Sequence, residues 1–226
     1  MNKLRLGVIG SSGGSALISA NQCLAAAGKC IEWVVVTDRQ CGIENWANEK
    51  SFEVHRIRYS SAEDFSGKAE MIFDLADCDD VLLFYTRRVA PPLITAKRVC
   101  NIHPAILPSF RGLHGVRDAM LAGVRLFGAT LHRVDAGLDT GEIVSQVCAP
   151  LPVGLAESAA NYLSYLQKVW LTLVWFDCMT NPQELRAPDS CGPGVVIGCP
   201  GIADDRLRAS YADWLANRDE HKERLG

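Results

Sequence analysis

Three short apolar runs, each closed by turn residues and followed by a helical pattern, limit this chain to few architectures. Leu4 to Gly10 ends in G-S-S-G-G-S; Ile31 to Val36 is rich in β-branched residues and is closed by Thr37-Asp38; Val81 to Tyr85 is continuously apolar. Unbroken runs of this length belong to parallel strands covered on both faces. Between them, A-L-I-S-A-N-Q-C-L-A-A-A has helical apolar spacing, Gly42 to Glu49 suits a short helix, Phe52 to Ile57 alternates as a third strand does, and Ser60 to Ala76 holds room for one more helix. Strand and helix in alternation predict an α/β fold: a doubly wound, mostly parallel, Rossmann-like sheet.

After residue 97 the pattern changes. V-C-N-I-H reads as a strand stopped by Pro104, with Asn101 and His103 on one face because side chains two apart share a side. Leu113 to Gly123 reads as a helix with Gly123 at the C′ position. Phe127 to Val134 and Glu142 to Val147 read as strands joined by D-A-G-L-D-T-G, a connection that suits an antiparallel pair and carries Asp139. Ala156 to Met179 is one long helix, with Trp170 and Trp175 on apolar helical spacing as core or interface. The tail from Asn181 begins in Pro, Cys and Gly turns and ends in a charged helix, Asp204 to Glu223. The expected organisation is therefore a catalytic domain over 1–180, with an antiparallel C-terminal part and the long helix, and an extension over 181–226.

With 226 residues and 48% hydrophobic content, one sizeable core is within reach. A net charge of −3 offers no global attraction to phosphate backbones, so nucleic acid is not an expected partner. No apolar run reaches membrane-spanning length, and M-N-K-L-R-L-G-V-I-G enters a core strand, which points away from membranes and towards the cytoplasm. Nine cysteines, an odd number with no Cys-x-x-Cys, signal reduced thiols and no zinc site.

The polar residues from Cys100 to Gly141 carry the chemistry. A carboxamide donor beside an imidazole, with an acid on a Gly-flanked loop, suits a carbonyl that becomes an oxyanion. The Gly/Ser turn after the first strand is either an anion site at a helix N-terminus or a tight connection. In a doubly wound sheet Gly13, Arg87 and His103 gather at the carboxyl ends of the strands. His132 alternates with apolar neighbours and reads as structural, and His114 as a surface residue.

C-N-I-H-P-A-I-L-P-S-F-R-G-L-H-G, followed by L-D-T-G, resembles the catalytic core of the folate-dependent formyltransferase family. That family carries Asn-x-His-Pro on a strand and an acid in a Leu-Asp-x-Gly loop some forty residues on; here Asp139 follows Asn101 by 38 residues. The resemblance covers about Leu4 to Asp177. It implies a direct transfer from 10-formyltetrahydrofolate to a primary amine of a small molecule, with Asn101, His103 and Asp139 catalytic and no metal. It places Arg87 and Val89 of Y-T-R-R-V-A-P, with Leu138, at the folate, and Gly13, Gly14 and Ser15 at an acceptor phosphate. Ala16 stands where family members acting on glycinamide ribonucleotide have Asn, and Tyr165 falls near their ribose-holding Glu. The acceptors left open are an amino sugar nucleotide, an amino acid-type amine and glycinamide ribonucleotide. The alternatives are a formyltetrahydrofolate hydrolase or a non-catalytic folate-binding protein. The tail is too short for the barrel of the tRNA-formylating members, and assembly as a homodimer is left open.

Overall fold

A computed structural model describes residues 4–182, 188, 190, 192, 195 and 197–223. In chain order the elements are β1 (Leu4–Gly10), α1 (Ser15–Ala26), β2 (Ile31–Thr37), α2 (Gly42–Glu49), β3 (Glu53–Arg56), α3 (Ala62–Leu75), β4 (Asp80–Phe84), α4 (Leu93–Ala96) and β5 (Arg98–His103). They continue with α5 (Gly115–Leu121), β6 (Leu126–Arg133), β7 (Ile143–Pro150), α6 (Glu157–Thr180), β8 (Ile197–Cys199) and α7 (Asp205–Glu223). The strand order is β3-β2-β1-β4-β5-β6-β7-β8. From β3 to β5 every pairing is parallel, whereas β7 and β8 are antiparallel. The expected doubly wound α/β sheet with an antiparallel C-terminal part is what forms.

By packing, the chain divides into two compact units, the first holding Met1–Ile18, Cys30–Ile102 and His132–Glu142 and the second Ser19–Lys29, His103–Leu131 and Ile143–Gly226. In the first, Ile9, Val34, Val36, Val81, Leu83 and Val99 from the strands bury against Phe65 and Phe73 of α3. Burying a side chain of this size stabilises by about 1.5–3 kcal/mol, which is why these strands read as unbroken apolar runs. Helix α3 starts where Ser61 accepts a hydrogen bond from the Asp64 amide, and Glu63 and Asp64 in its first turn favour the positive end of the helix.

Register decides what emerges at the carboxyl edge. Gly10 pairs with Thr37 of β2 and Phe84 of β4, and Thr37 with Arg56 of β3. Ser11, Asp38 and Tyr85 therefore leave the sheet level with one another. Asn101 pairs with Leu83 near the same edge.

In the second unit, α5 ends as expected: Gly123 has φ 66° and donates to the Met120 carbonyl. Helix α6 buries Trp170 and Trp175 almost completely, as core residues. The β6–β7 connection is antiparallel, with Arg133 N bonded to Glu142 O near one end and Leu151 N to Arg125 O at the other. The turns expected after Asn181 fall mostly outside the described residues, and the charged helix beyond them is α7. Among the described residues no helix is long and apolar enough to cross a membrane.

Candidate active site

Asn101 belongs to a hydrogen-bonded cluster within the first unit. His132 at the end of β6 has Nδ1 2.8 Å from the Arg133 carbonyl. A carbonyl only accepts, so Nδ1 carries a proton. In the neutral ring Nε2 is then an acceptor, and Asn101 Nδ2 lies 3.3 Å from it. That bond orients the carboxamide with its NH₂ towards His132 and leaves a second N–H to donate elsewhere. Asp139 Oδ1 is 3.6 Å from the same Nε2. His132 is 2% exposed, so its bonds with Asn101 and the Arg133 carbonyl form away from water, where leaving one unmade costs about 1–3 kcal/mol.

The loop that presents Asp139 is built from its own sequence. Asp135 accepts from the Gly137 amide at 3.0 Å and the Thr140 hydroxyl at 2.8 Å, closing the turn on itself. Asp139 has φ 51°, a left-handed conformation that aspartate tolerates better than most residues. A Cβ on Gly141 would stand 2.0 Å from the Arg133 carbonyl, so only glycine allows that approach. Arg88 donates to the Ala136 carbonyl at 2.9 Å, tying the segment after β4 to this loop.

His103 ends β5 in the second unit and is 3% exposed. Its Nε2 lies 2.7 Å from the Phe110 carbonyl and must therefore donate. Phe110 reaches that position with φ 53°, a strained conformation for a bulky residue, costing of order 1–3 kcal/mol. The loop between them is latched by Thr130 Oγ1, which donates to Ala105 O and accepts from Leu107 N. Gln146 donates to Leu107 O at 2.8 Å and to Thr130 at 3.1 Å. A Cβ on Gly115, at the start of α5, would lie 2.9 Å from Pro104 O and 3.3 Å from His103 Nε2.

The model of the formyl transferase family matches residues 16–164, which includes Asn101, His103, His132 and Asp139. The chain belongs to the formyl transferase family. It is similar to the phosphoribosylglycinamide formyltransferase of Mycobacterium tuberculosis (strain CDC 1551 / Oshkosh), 38% identical over 157 residues that span 66% of this chain and 71% of that protein. Among solved structures it resembles glycinamide ribonucleotide transformylase 1 from Symbiobacterium toebii, with a TM-score of 0.73, 26% identity, and 82% of this chain and 91% of that one covered. The phosphoribosylglycinamide formyltransferase of Brucella melitensis gives a TM-score of 0.70 at 26% identity, with 82% and 100% covered. The enzyme is thus a formyltransferase, and 10-formyltetrahydrofolate is its formyl donor.

In this formyl transferase the residues expected at the folate lie on two segments of the first unit that Arg88 joins. Val89 packs into the core, and Leu138 is 56% exposed, an apolar surface that a ring system can cover. Arg87 is held by Asp38 and lies over the Tyr59 ring. Gly13, Gly14 and Ser15 lie just before the matched residues. A Cβ on Gly14, which has φ 69°, would come 2.0 Å from Ile43, so this glycine is required by packing on α2; Gly13 has nothing within 4 Å of the corresponding position. Ala16 is buried. Tyr165 bonds to Ser19 at 2.7 Å and accepts from Arg218 of α7. His114 stands at the N-cap of α5 with no capping side-chain bond. Among the described residues no three His, Cys, Asp or Glu side chains are grouped to hold a metal.

His132, read from the sequence as structural, proves to hold Asn101, and Arg88 and Asp135 are not among the expected site residues. His132 has a signal in hindsight: it is a buried-pattern histidine near the end of a strand that closes at the same loop as Asp139. Arg88 and Asp135 are visible only from the fold.

Proposed function

We propose that this enzyme formylates the primary amine of glycinamide ribonucleotide, with Asn101, His103 and Asp139 at the reacting centre. The observation that carries the reading is the Asn101–His132–Asp139 cluster, in which a carboxamide is oriented with one N–H uncommitted. When bound, 10-formyltetrahydrofolate supplies an activated formyl carbon. Asn101 donates its second N–H to the formyl oxygen as charge builds there. His103, two residues along β5, gives Nε2–H to Phe110, so it donates through Nδ1 only as an imidazolium. Loss of one such donor costs about 10²–10³ in rate. Asp139 takes up, directly or through a water, the proton that the attacking amine sheds and passes it to the folate nitrogen as that nitrogen's bond to the formyl carbon breaks.

The acceptor is assigned from the phosphoribosylglycinamide formyltransferases to which the chain is similar. Its phosphate is taken by the turn at Gly13, Gly14 and Ser15, where the amides of α1 point outward. Ala16 supplies no side-chain ligand there, and Tyr165 supplies no carboxylate for a ribose. Residues 181–226 serve as an extension of the catalytic part: Tyr211 of α7 packs edge-on against Trp170 at 5.1 Å and donates to the Leu166 carbonyl. The enzyme is taken to work in the cytoplasm.

The test is incubation with 10-formyltetrahydrofolate and glycinamide ribonucleotide, following tetrahydrofolate release and the mass of the acceptor. A gain of one formyl group that depends on His103 is expected. Formate release with no amine requirement overturns the reading in favour of hydrolysis, and formylation of a different amine overturns the acceptor.

A further inference from the structure

We propose that Arg39 and Arg87, both held by the single carboxylate of Asp38, form a receptor for an oxyanion, a carboxylate or phosphate carried by one of the two substrates. The proposal rests on reading the carboxyl edge of the first unit as the place where substrate binds. Asp38 and Tyr85 leave the sheet on the two sides of β1, where the strand order reverses, and ligands of such sheets bind in that crevice. The Ser11 and Thr86 hydroxyls meet there at 3.3 Å.

The Asp38 side chain is 1% exposed and accepts from Arg39 Nε at 2.9 Å and Nη2 at 2.8 Å, and it also pairs with Arg87 Nε at 3.1 Å. Arg87 lies 4.5 Å above the Tyr59 ring. One guanidinium is enough to neutralise a buried carboxylate; the second leaves the cluster with a net positive charge. Both cations keep about half their side chains open, at 45% and 40% exposure. A guanidinium has about five N–H donors, so with two of Arg39 and one of Arg87 engaged, most face outward. Their planes are already fixed, by Asp38 for one and by Asp38 and Tyr59 for the other. Two rigid forks side by side match the paired oxygens of a carboxylate or phosphate, and fixing them beforehand lowers the entropy cost of binding.

A second observation points to the same place. The Tyr85 hydroxyl is buried and has no hydrogen-bond partner among the described residues, with its ring stacked 5.1 Å from Phe65. Burial, and then the charge of Asp38, pushes its pKa well up, so it remains a donor. A buried donor left unmet is costly unless a ligand or water meets it.

Equilibrium titration of Arg39→Gln and Arg87→Gln against three probes tests this: 10-formyltetrahydrofolate, 10-formyltetrahydropteroate, which lacks the glutamyl carboxylates, and glycinamide ribonucleotide. Removing a charge-assisted bond is expected to weaken the oxyanion-bearing ligand by about tenfold or more. Loss with the folate but not the pteroate makes the donor's carboxylate the occupant. Loss with glycinamide ribonucleotide alone makes the occupant the acceptor phosphate and moves that phosphate from the turn at Gly13, Gly14 and Ser15 to the two arginines. Asp38→Asn, which keeps both cations but loosens them, should weaken the same probe. Because binding is read without turnover, a loss with the folate stands even if glycinamide ribonucleotide proves not to be the acceptor. Unchanged binding of all three probes by folded variants, or equal losses with folate and pteroate, overturns the proposal.

Discussion

Replacing His132 with Phe separates a positioning role from a merely structural one. The ring of His132 accepts from Asn101 and donates to the Arg133 carbonyl, and phenylalanine fills similar space while making neither bond. Two half-buried polar groups, on Asn101 and Arg133, then lose their partner, which destabilises by about 1–3 kcal/mol for each that water cannot reach. The kinetic consequence follows from Asn101. If its carboxamide merely becomes free to rotate, an orienting bond worth about 1 kcal/mol is lost and kcat falls roughly fivefold. Loss of the donor altogether would lower kcat by about 10²–10³. The expected fall lies between these limits. His132→Gln, which retains a carbonyl acceptor for Asn101, should recover part of kcat. Neither variant should alter the KM for the folate, because His132 is buried and touches no exposed surface. The assay is tetrahydrofolate release at saturating substrates, run beside thermal unfolding. A His132→Phe protein that folds and keeps wild-type kcat would falsify the role given to His132.

His103→Ala and Asp139→Asn should each remove most turnover, by about 10²-fold or more for the donor, while leaving folate binding within about tenfold; near-wild-type rates in both would reject the catalytic assignment. Gly115→Ala places a methyl against the Pro104 carbonyl, which cannot move aside, and against His103 Nε2. It should lower stability by about 1–3 kcal/mol and kcat with it, and an unaltered melting temperature would contradict the packing described. Asp38 should shape the acid limb of stability. Its hydrogen bonds from Arg39, and the charges of Arg39 and Arg87, hold its pKa below the usual carboxylate value despite burial. A depressed folded pKa contributes stability that is present above the unfolded value, about 4, and is lost as pH falls through the folded one. Denaturant midpoints of Asp38→Asn should therefore depend less on pH below about 4 than those of wild type.

How far the sequence reveals this enzyme depends on which interactions are local. β1, α2 and the C′ glycine of α5 are written in runs of one or two turns, and their boundaries follow from apolar spacing, Gly and Pro. Asn101 and His103 are legible for the same reason, since strand alternation relates residues two apart. The partners of these residues are not. His132 is 31 residues from Asn101, and Arg88 is 48 from Ala136, so each meeting depends on which strands lie side by side. Periodicity reads His132 as structural because it alternates with apolar residues, and in one sense it is: it is buried and its bonds are internal. Its bond to Asn101 is nevertheless what leaves one amide N–H directed elsewhere. The Gly/Ser turn shows the converse. Its glycines suggest an anion site, yet Gly14 is explained by Ile43 packing against the turn, and only Gly13 keeps an open face. A glycine-rich turn can be selected by the helix packed behind it as much as by a ligand in front. For the same reason, side chains whose donors packing leaves unused, such as the outward N–H groups of Arg39 and Arg87, point to a bound anion more directly than the turn alone.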